Sequence, residues 1–192
     1  MPRERFYLVG FIVAVAMAVA AMRVGELIGW HALDPVATFA ICIALTLVFP
    51  ESFQGPGFDK RTTLRVAMTV VALCAIWWFG FWIRTTHSMY IEWSWGVIPQ
   101  VFGLVVITPW FEEKLFRHLL LSSLLRVVRP LFAVLAVSVL FAVAHKGMIV
   151  WALVVSLTLC WMRLSLNAKT IHCAIAHGCV NAFVLALYLI AK

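Results

Sequence analysis

Two adjacent carboxylates, Glu112 and Glu113, stand inside a long apolar run, and Arg117 follows the second of them by four positions. An ionisable group in such a run is expensive, so its default reading is functional, with a partner to be named. Residues i and i+4 share a helical face, and acid before base is the favourable order, so Glu113 pairs with Arg117. Glu112 lies about 100° further round the helix and is left without that partner. One carboxylate is thus tied down as structure and the other is free to act. The alternative reading of the same spacing is a membrane-surface helix whose charges are simply solvated.

Three other residues on two further apolar runs complete a chemical set: His145, then His177 with Asn181 four residues later. A carboxylate and an imidazole around a water make a general base. A second imidazole and an amide nitrogen can donate hydrogen bonds to a developing oxyanion. Together these groups describe hydrolysis of an amide. The same set could bind a metal, since two histidines and a glutamate with an open position form a catalytic zinc site. A lone intramembrane histidine more often makes a helix–helix hydrogen bond. Other intramembrane chemistries lack their parts. There is no His-Glu-x-x-His and no Gly-x-Ser, and the only aspartates, Asp34 and Asp59, fall outside any convincing span.

These groups need elements that bring them to one depth. The chain has 192 residues, 65% of them hydrophobic and 12% charged, with a mean hydropathy of +1.03. That composition excludes a soluble domain and predicts an all-α, polytopic membrane helical bundle. Continuous rather than alternating apolar runs argue against a transmembrane barrel. About seven transmembrane segments are expected, near 6–22, 35–49, 66–83, 95–126, 131–145, 148–162 and 170–190; the count is eight if the Glu-Glu segment is split. A single domain, 1–192, holds them, with the chemistry-bearing core at about 96–190. The first run ends near Ala18-Val19-Ala20, which could mark a cleavable signal peptide, but its length favours an uncleaved span.

The net charge of +7 comes from short basic clusters between apolar runs. That pattern orients a membrane protein, with the amino terminus and the basic loops in the cytoplasm, and it gives no argument for nucleic acid. Aromatic residues cluster at Trp77-Trp78-Phe79 and again at Tyr90, Trp93 and Trp95, as headgroup-level rings do. The polar stretch 50–65 carries a turn signal, Gly55-Pro56-Gly57. His31, His87 and His118 lie in or next to links and read as interfacial side chains. His172 faces away from His177, nearer the cytoplasmic end. The five cysteines sit in apolar runs as small core residues, with neither disulfide nor metal spacing. Arg129-Pro130 is a cytoplasmic corner. Glu112 precedes it by as many residues as His145 follows it, to within one, roughly 25 Å along either helix at 1.5 Å per residue. The two should therefore meet.

At this point the residues resemble a family. Glu112-Glu113-x-x-x-Arg117, Phe141-x-x-x-His145 and His177-x-x-x-Asn181 are similar to the three motifs of the CAAX-protease and bacteriocin-processing family, which are glutamate-type intramembrane endopeptidases. The motifs cover about 111–181. The resemblance implies a helical membrane fold with a polar cavity open toward the cytoplasm. It implies Glu112 and His145 activating water, His177 and Asn181 facing the oxyanion, and Glu113 with Arg117 in support. No cofactor is expected; a metal is disfavoured because no third neutral ligand is obvious, although the motifs leave metal dependence open. The expected partners are membrane lipid and a membrane-anchored peptide or protein, with no nucleic acid. The expected location is the bacterial cytoplasmic (inner) membrane. The rival from another class is a non-catalytic membrane protein, such as a bacteriocin immunity factor or a small transporter. It predicts that Glu112, His145 and His177 do not converge.

Overall fold

A computed structural model describes residues 3–29, 33–51, 60–82 and 97–190. Among the described residues the chain forms seven helices and no strand. These are α1 (Arg3–Ile28), α2 (Leu33–Val48), α3 (Lys60–Trp77, continuing as the π turn Trp78–Trp82), α4 (97–124), α5 (Pro130–Ala144), α6 (Ile149–Ser165) and α7 (Thr170–Ile190). His31, His87, Tyr90, Trp93, Trp95 and the Gly55-Pro56-Gly57 turn lie outside the described residues. The first helix runs past the expected end near residue 22. Arg23 and Glu26, expected in a link, form an exposed helical ion pair at 3.0 Å instead, of a kind that contributes little to stability.

Three stretches, Arg5–Ile28, Lys60–Gly80 and Thr170–Leu189, are long and apolar enough to cross a membrane. Pro35–Val48, Pro130–Ala144 and Ile149–Ser165 are shorter apolar helices. Polarity is distributed as lipid requires. Large apolar side chains such as Ile12, Leu47, Val71, Phe132 and Val150 face outward, whereas Glu113, Lys114, Arg117 and His118 are buried. Together these features make the chain an integral membrane protein with a helical bundle fold.

Two cores flank the charged centre. Leu73 and Trp77 of α3 pack with Trp151, Val155 and Leu159 of α6 and Val180 of α7. Ala14 of α1 and Cys42 of α2 pack with Phe111, Leu115 and Leu119 of α4. Trp77, expected at the headgroup level, is in the first core against Trp151, ring centroids 5.1 Å apart, while Trp78 and Phe79 are exposed. Among the cysteines, Cys42, Cys160 and Cys173 are buried, Cys74 is half-buried, and Cys179 is exposed rather than in the core.

The fourth helix is irregular, and its irregularity has a local cause. Its course alternates between α and π turns: Val97–Phe102, the π turn Gly103–Ile107, Thr108–Glu113, the π turn Lys114–Leu120, and Leu121–Leu124. Pro109 has no N–H to return to the carbonyl of Val105, and its ring crowds that carbonyl. A widened turn relieves the clash. The backbone groups freed in lipid must be satisfied by neighbours, and α7 does this. Gly178 lies where any Cβ would collide with the Val105 carbonyl oxygen. Three residues later, Asn181 Nδ2 donates to the Leu104 carbonyl at 3.0 Å. The break in α4 is thus sealed by the helix that carries His177.

Candidate active site

Glu113 and Arg117 are both fully buried, with Nε 3.1 Å from Oε2. The guanidinium also donates through Nη2 to Ser156 Oγ at 3.0 Å, and Ser156 Oγ donates to Ser138 Oγ at 3.2 Å. Its Cζ lies 4.6 Å from the centre of the Phe141 ring. A buried ion pair needs such added contacts to offset desolvation. The second oxygen of Glu113 has a further task that its spacing did not disclose: His177 Nδ1 lies 3.0 Å from Oε1. A carboxylate only accepts, so Nδ1 carries the hydrogen, and Glu113 fixes both the tilt and the tautomer of His177.

His145 follows the last turn of α5, where the backbone leaves the helix at φ −100° and ψ 61°. Its ring folds back and stacks on Phe141 with centroids 4.4 Å apart. Its Nδ1 is 2.8 Å from the Phe141 carbonyl, one of the acceptors that a helix end leaves open. That nitrogen must donate as well. In its neutral form each imidazole therefore presents a bare Nε2, and both Nε2 atoms face Glu112. His145 Nε2 is 3.6 Å from Oε1, and His177 Nε2 is 3.8 Å from Oε2. These separations exceed a direct hydrogen bond and suit a small molecule held between the groups. Glu112 Oε2 is buried and has no hydrogen-bond partner.

The space before these atoms is a cavity of about 270 Å³. Glu112, His145, His177, Asn181 and Thr108 supply its polar wall, and Leu104, Met148, Trp151, Val184 and Tyr188 much of the apolar remainder. The fourth, fifth and seventh helices thus bring Glu112, His145 and His177 together, with Asn181 on the same cavity. In this conformation Asn181 spends one amide hydrogen on Leu104, which leaves the other for a ligand. Two bare imidazole nitrogens and a carboxylate are also metal donors by type. Among the described residues, however, no group of three or more His, Cys, Asp or Glu is arranged to hold a metal ion.

Two histidines outside the set take different places. His172 is buried on another face of α7 and accepts from the Lys169 N–H at 3.0 Å, a local cap at the start of the helix. His118, expected at the interface from its position near a link, is buried within the protein, in the second π turn of α4 and edge-on to Tyr7 at 5.5 Å. Sequence reasoning also passed over Ser138 and Ser156, whose roles come from packing across α5 and α6 and leave no signal in spacing, and it named Phe141 as part of a motif without seeing the rings it packs against.

Neither curated proteins nor solved structures provide a match to this chain. Residues 92–183 match the family model described as type II CAAX prenyl endopeptidase Rce1-like. The matched segment, just under half of the 192-residue chain, contains Glu112, Glu113, Arg117, His145, His177 and Asn181, and over it the chain is similar to that family.

Proposed function

We propose that the protein hydrolyses a peptide bond of a membrane-associated protein or peptide with water activated by Glu112. The observation that carries this reading is the convergence of one buried, unpartnered carboxylate oxygen and two bare imidazole nitrogens on one cavity. A water seated there donates one hydrogen to Glu112 and the other to His145 Nε2. As its oxygen attacks the carbonyl carbon, Glu112 takes a proton; it returns that proton to the leaving amide nitrogen as the C–N bond breaks. The remaining N–H of Asn181 is the available donor to the oxyanion. Neutral His177 presents a lone pair at Nε2, so it supports an oxyanion only after taking a second proton. With both imidazoles neutral, Glu112, Glu113 and Arg117 carry one net negative charge, and the proton taken from water cancels it.

The apolar lining and the buried location favour a membrane-anchored peptide segment as substrate and argue against nucleic acid. The basic clusters support an amino terminus in the cytoplasm of a bacterial inner membrane. A non-catalytic transporter or immunity factor gives no reason for three helices to deliver these groups to one cavity.

Glu112→Gln keeps the shape and removes the base. Purified variant should cleave membrane-anchored test peptides roughly 10²–10⁴-fold more slowly than the parent; cleavage at the parental rate would defeat the proposal. A zinc-dependent version of the same hydrolysis would use the Nε2 atoms of the two neutral imidazoles, although no metal-holding group is arranged among the described residues. It predicts loss of activity on chelation and recovery on adding zinc, and activity that survives exhaustive chelation removes it.

A further inference from the structure

The helices that build the candidate site meet at one end of the bundle, and that end is not the basic one. Short links make consecutive helices antiparallel. The cavity takes Leu104 and Thr108 from the first half of α4, His145 from the end of α5, Trp151 from the start of α6, and Asn181 and Tyr188 from the second half of α7. Antiparallel neighbours bring those parts to one end, and Trp77 near the end of α3 joins them there against Trp151. A second cavity, of about 650 Å³, lies at the opposite end, where Tyr7, Glu51, His118, Ser122 and Arg163 help to line it. The two cavities share no lining residue.

The ends differ in charge. The stretches that join helices at the end away from the site, 50–65, 125–129 and 163–169, together hold seven lysines and arginines. Those that join helices at the site's end, 23–34, 83–96 and 145–148, hold one each. Basic residues accumulate on cytoplasmic links, so the site's end faces away from the cytoplasm.

The ends differ in closure as well. Toward the basic end the same helices are sealed by Glu113, Arg117, Ser138, Ser156, Leu159 and Cys160, all wholly buried. Toward the other end, the side chain of His145 is 33% exposed. The shorter way to Glu112 is therefore past His145 and not through the buried ion pair. The site still lies below the surface. From the basic corner, α5 runs for 15 residues, roughly 22 Å along its axis. The hydrocarbon core of a bilayer is about 30 Å thick. His145 thus stops inside the far leaflet, and Glu112 beside it does too.

We propose that the candidate active site is a well in the outer leaflet, loaded from the non-cytoplasmic side, and that its substrate is a membrane-anchored peptide whose scissile bond lies just beneath the outer surface. The assignment rests on the hydrolytic reading for the reaction and on the basic links for the side. It departs from the cytoplasmic opening that the resemblance implies.

Single cysteines test the side without any substrate. Gly147→Cys stands two residues past His145, where an added Cβ meets nothing within 4 Å. Val127→Cys stands in the basic 125–129 link, at an exposed position. Each is expressed in the full chain, and a membrane-impermeant maleimide is applied to sealed and to permeabilised spheroplasts, with the parent protein giving the background. Gly147→Cys should label fully in sealed spheroplasts, and Val127→Cys only after permeabilisation. The reverse pattern, or equal labelling of both, would overturn the proposal. The substrate class is tested with one membrane anchor carrying a peptide that the purified parent cleaves, placed at the anchor's outer or its inner end. The outer version should be cut and the inner one spared. Cutting of the inner version alone, or no preference for the outer, would overturn the substrate assignment. Cutting of the outer version by Glu112→Gln at the parental rate would instead defeat the hydrolytic reading and leave the labelling result standing.

Discussion

At the scale of residues, the account turns on how adjacent glutamates came to differ. Glu113 is held by Arg117 and by His177, whereas Glu112 faces open space between two imidazoles. Arg117→Ala should destabilise the protein by about 3–5 kcal/mol, because it strands a buried carboxylate. A lower Tm and a lower folded yield in detergent would register this; an unchanged Tm would mean that Glu113 is solvated. The pairing of Glu113 with Arg117 was legible from four-residue spacing alone. That Glu113 also sets the tautomer of His177 was not, because it depends on how α7 is rotated against α4.

At the scale of elements, the broken fourth helix and the seventh helix act as a unit. Pro109 frees backbone groups just before Glu112, and Gly178 and Asn181 meet them from α7. Gly178→Ala should cost about 1–3 kcal/mol by driving a methyl group against the Val105 carbonyl. Its activity loss should exceed what the lower folded fraction explains, since Glu112 would shift away from His177. Equal Tm and equal activity would show that α4 and α7 can separate cheaply. Asn181→Ala should cost about 1–3 kcal/mol through the Leu104 carbonyl left unsatisfied, in addition to any effect on catalysis; thermal unfolding reads the first and turnover the second. Most of this was invisible in the sequence. Helix spans and the Arg129-Pro130 corner could be read from apolar runs and a proline, and equal spacing from that corner correctly put Glu112 opposite His145. The π turns could not be read, because they depend on where α7 can accept a displaced carbonyl. The burial of His118 could not be read for a related reason: four-residue steps say which side chains share a face, not which neighbour covers it.

At the scale of the whole molecule, the bundle turns charged groups inward and apolar groups outward, and it keeps two polar cavities apart. Its basic links should lie on one side of the membrane. Tags at the amino terminus and in the 84–95 link should report opposite compartments in a protease-protection assay, and protection of both or neither would refute the seven-span orientation. The fold's purpose, in this account, is to hold a water against Glu112 inside lipid. The most direct test runs the reaction in ¹⁸O-labelled water with purified protein and membrane-anchored peptides, comparing the parent with Glu112→Gln of matched Tm. The account predicts that the parent puts one ¹⁸O into each newly formed carboxylate at the cut site and that the variant yields almost no labelled product. Equal amounts of labelled product from both proteins would contradict it.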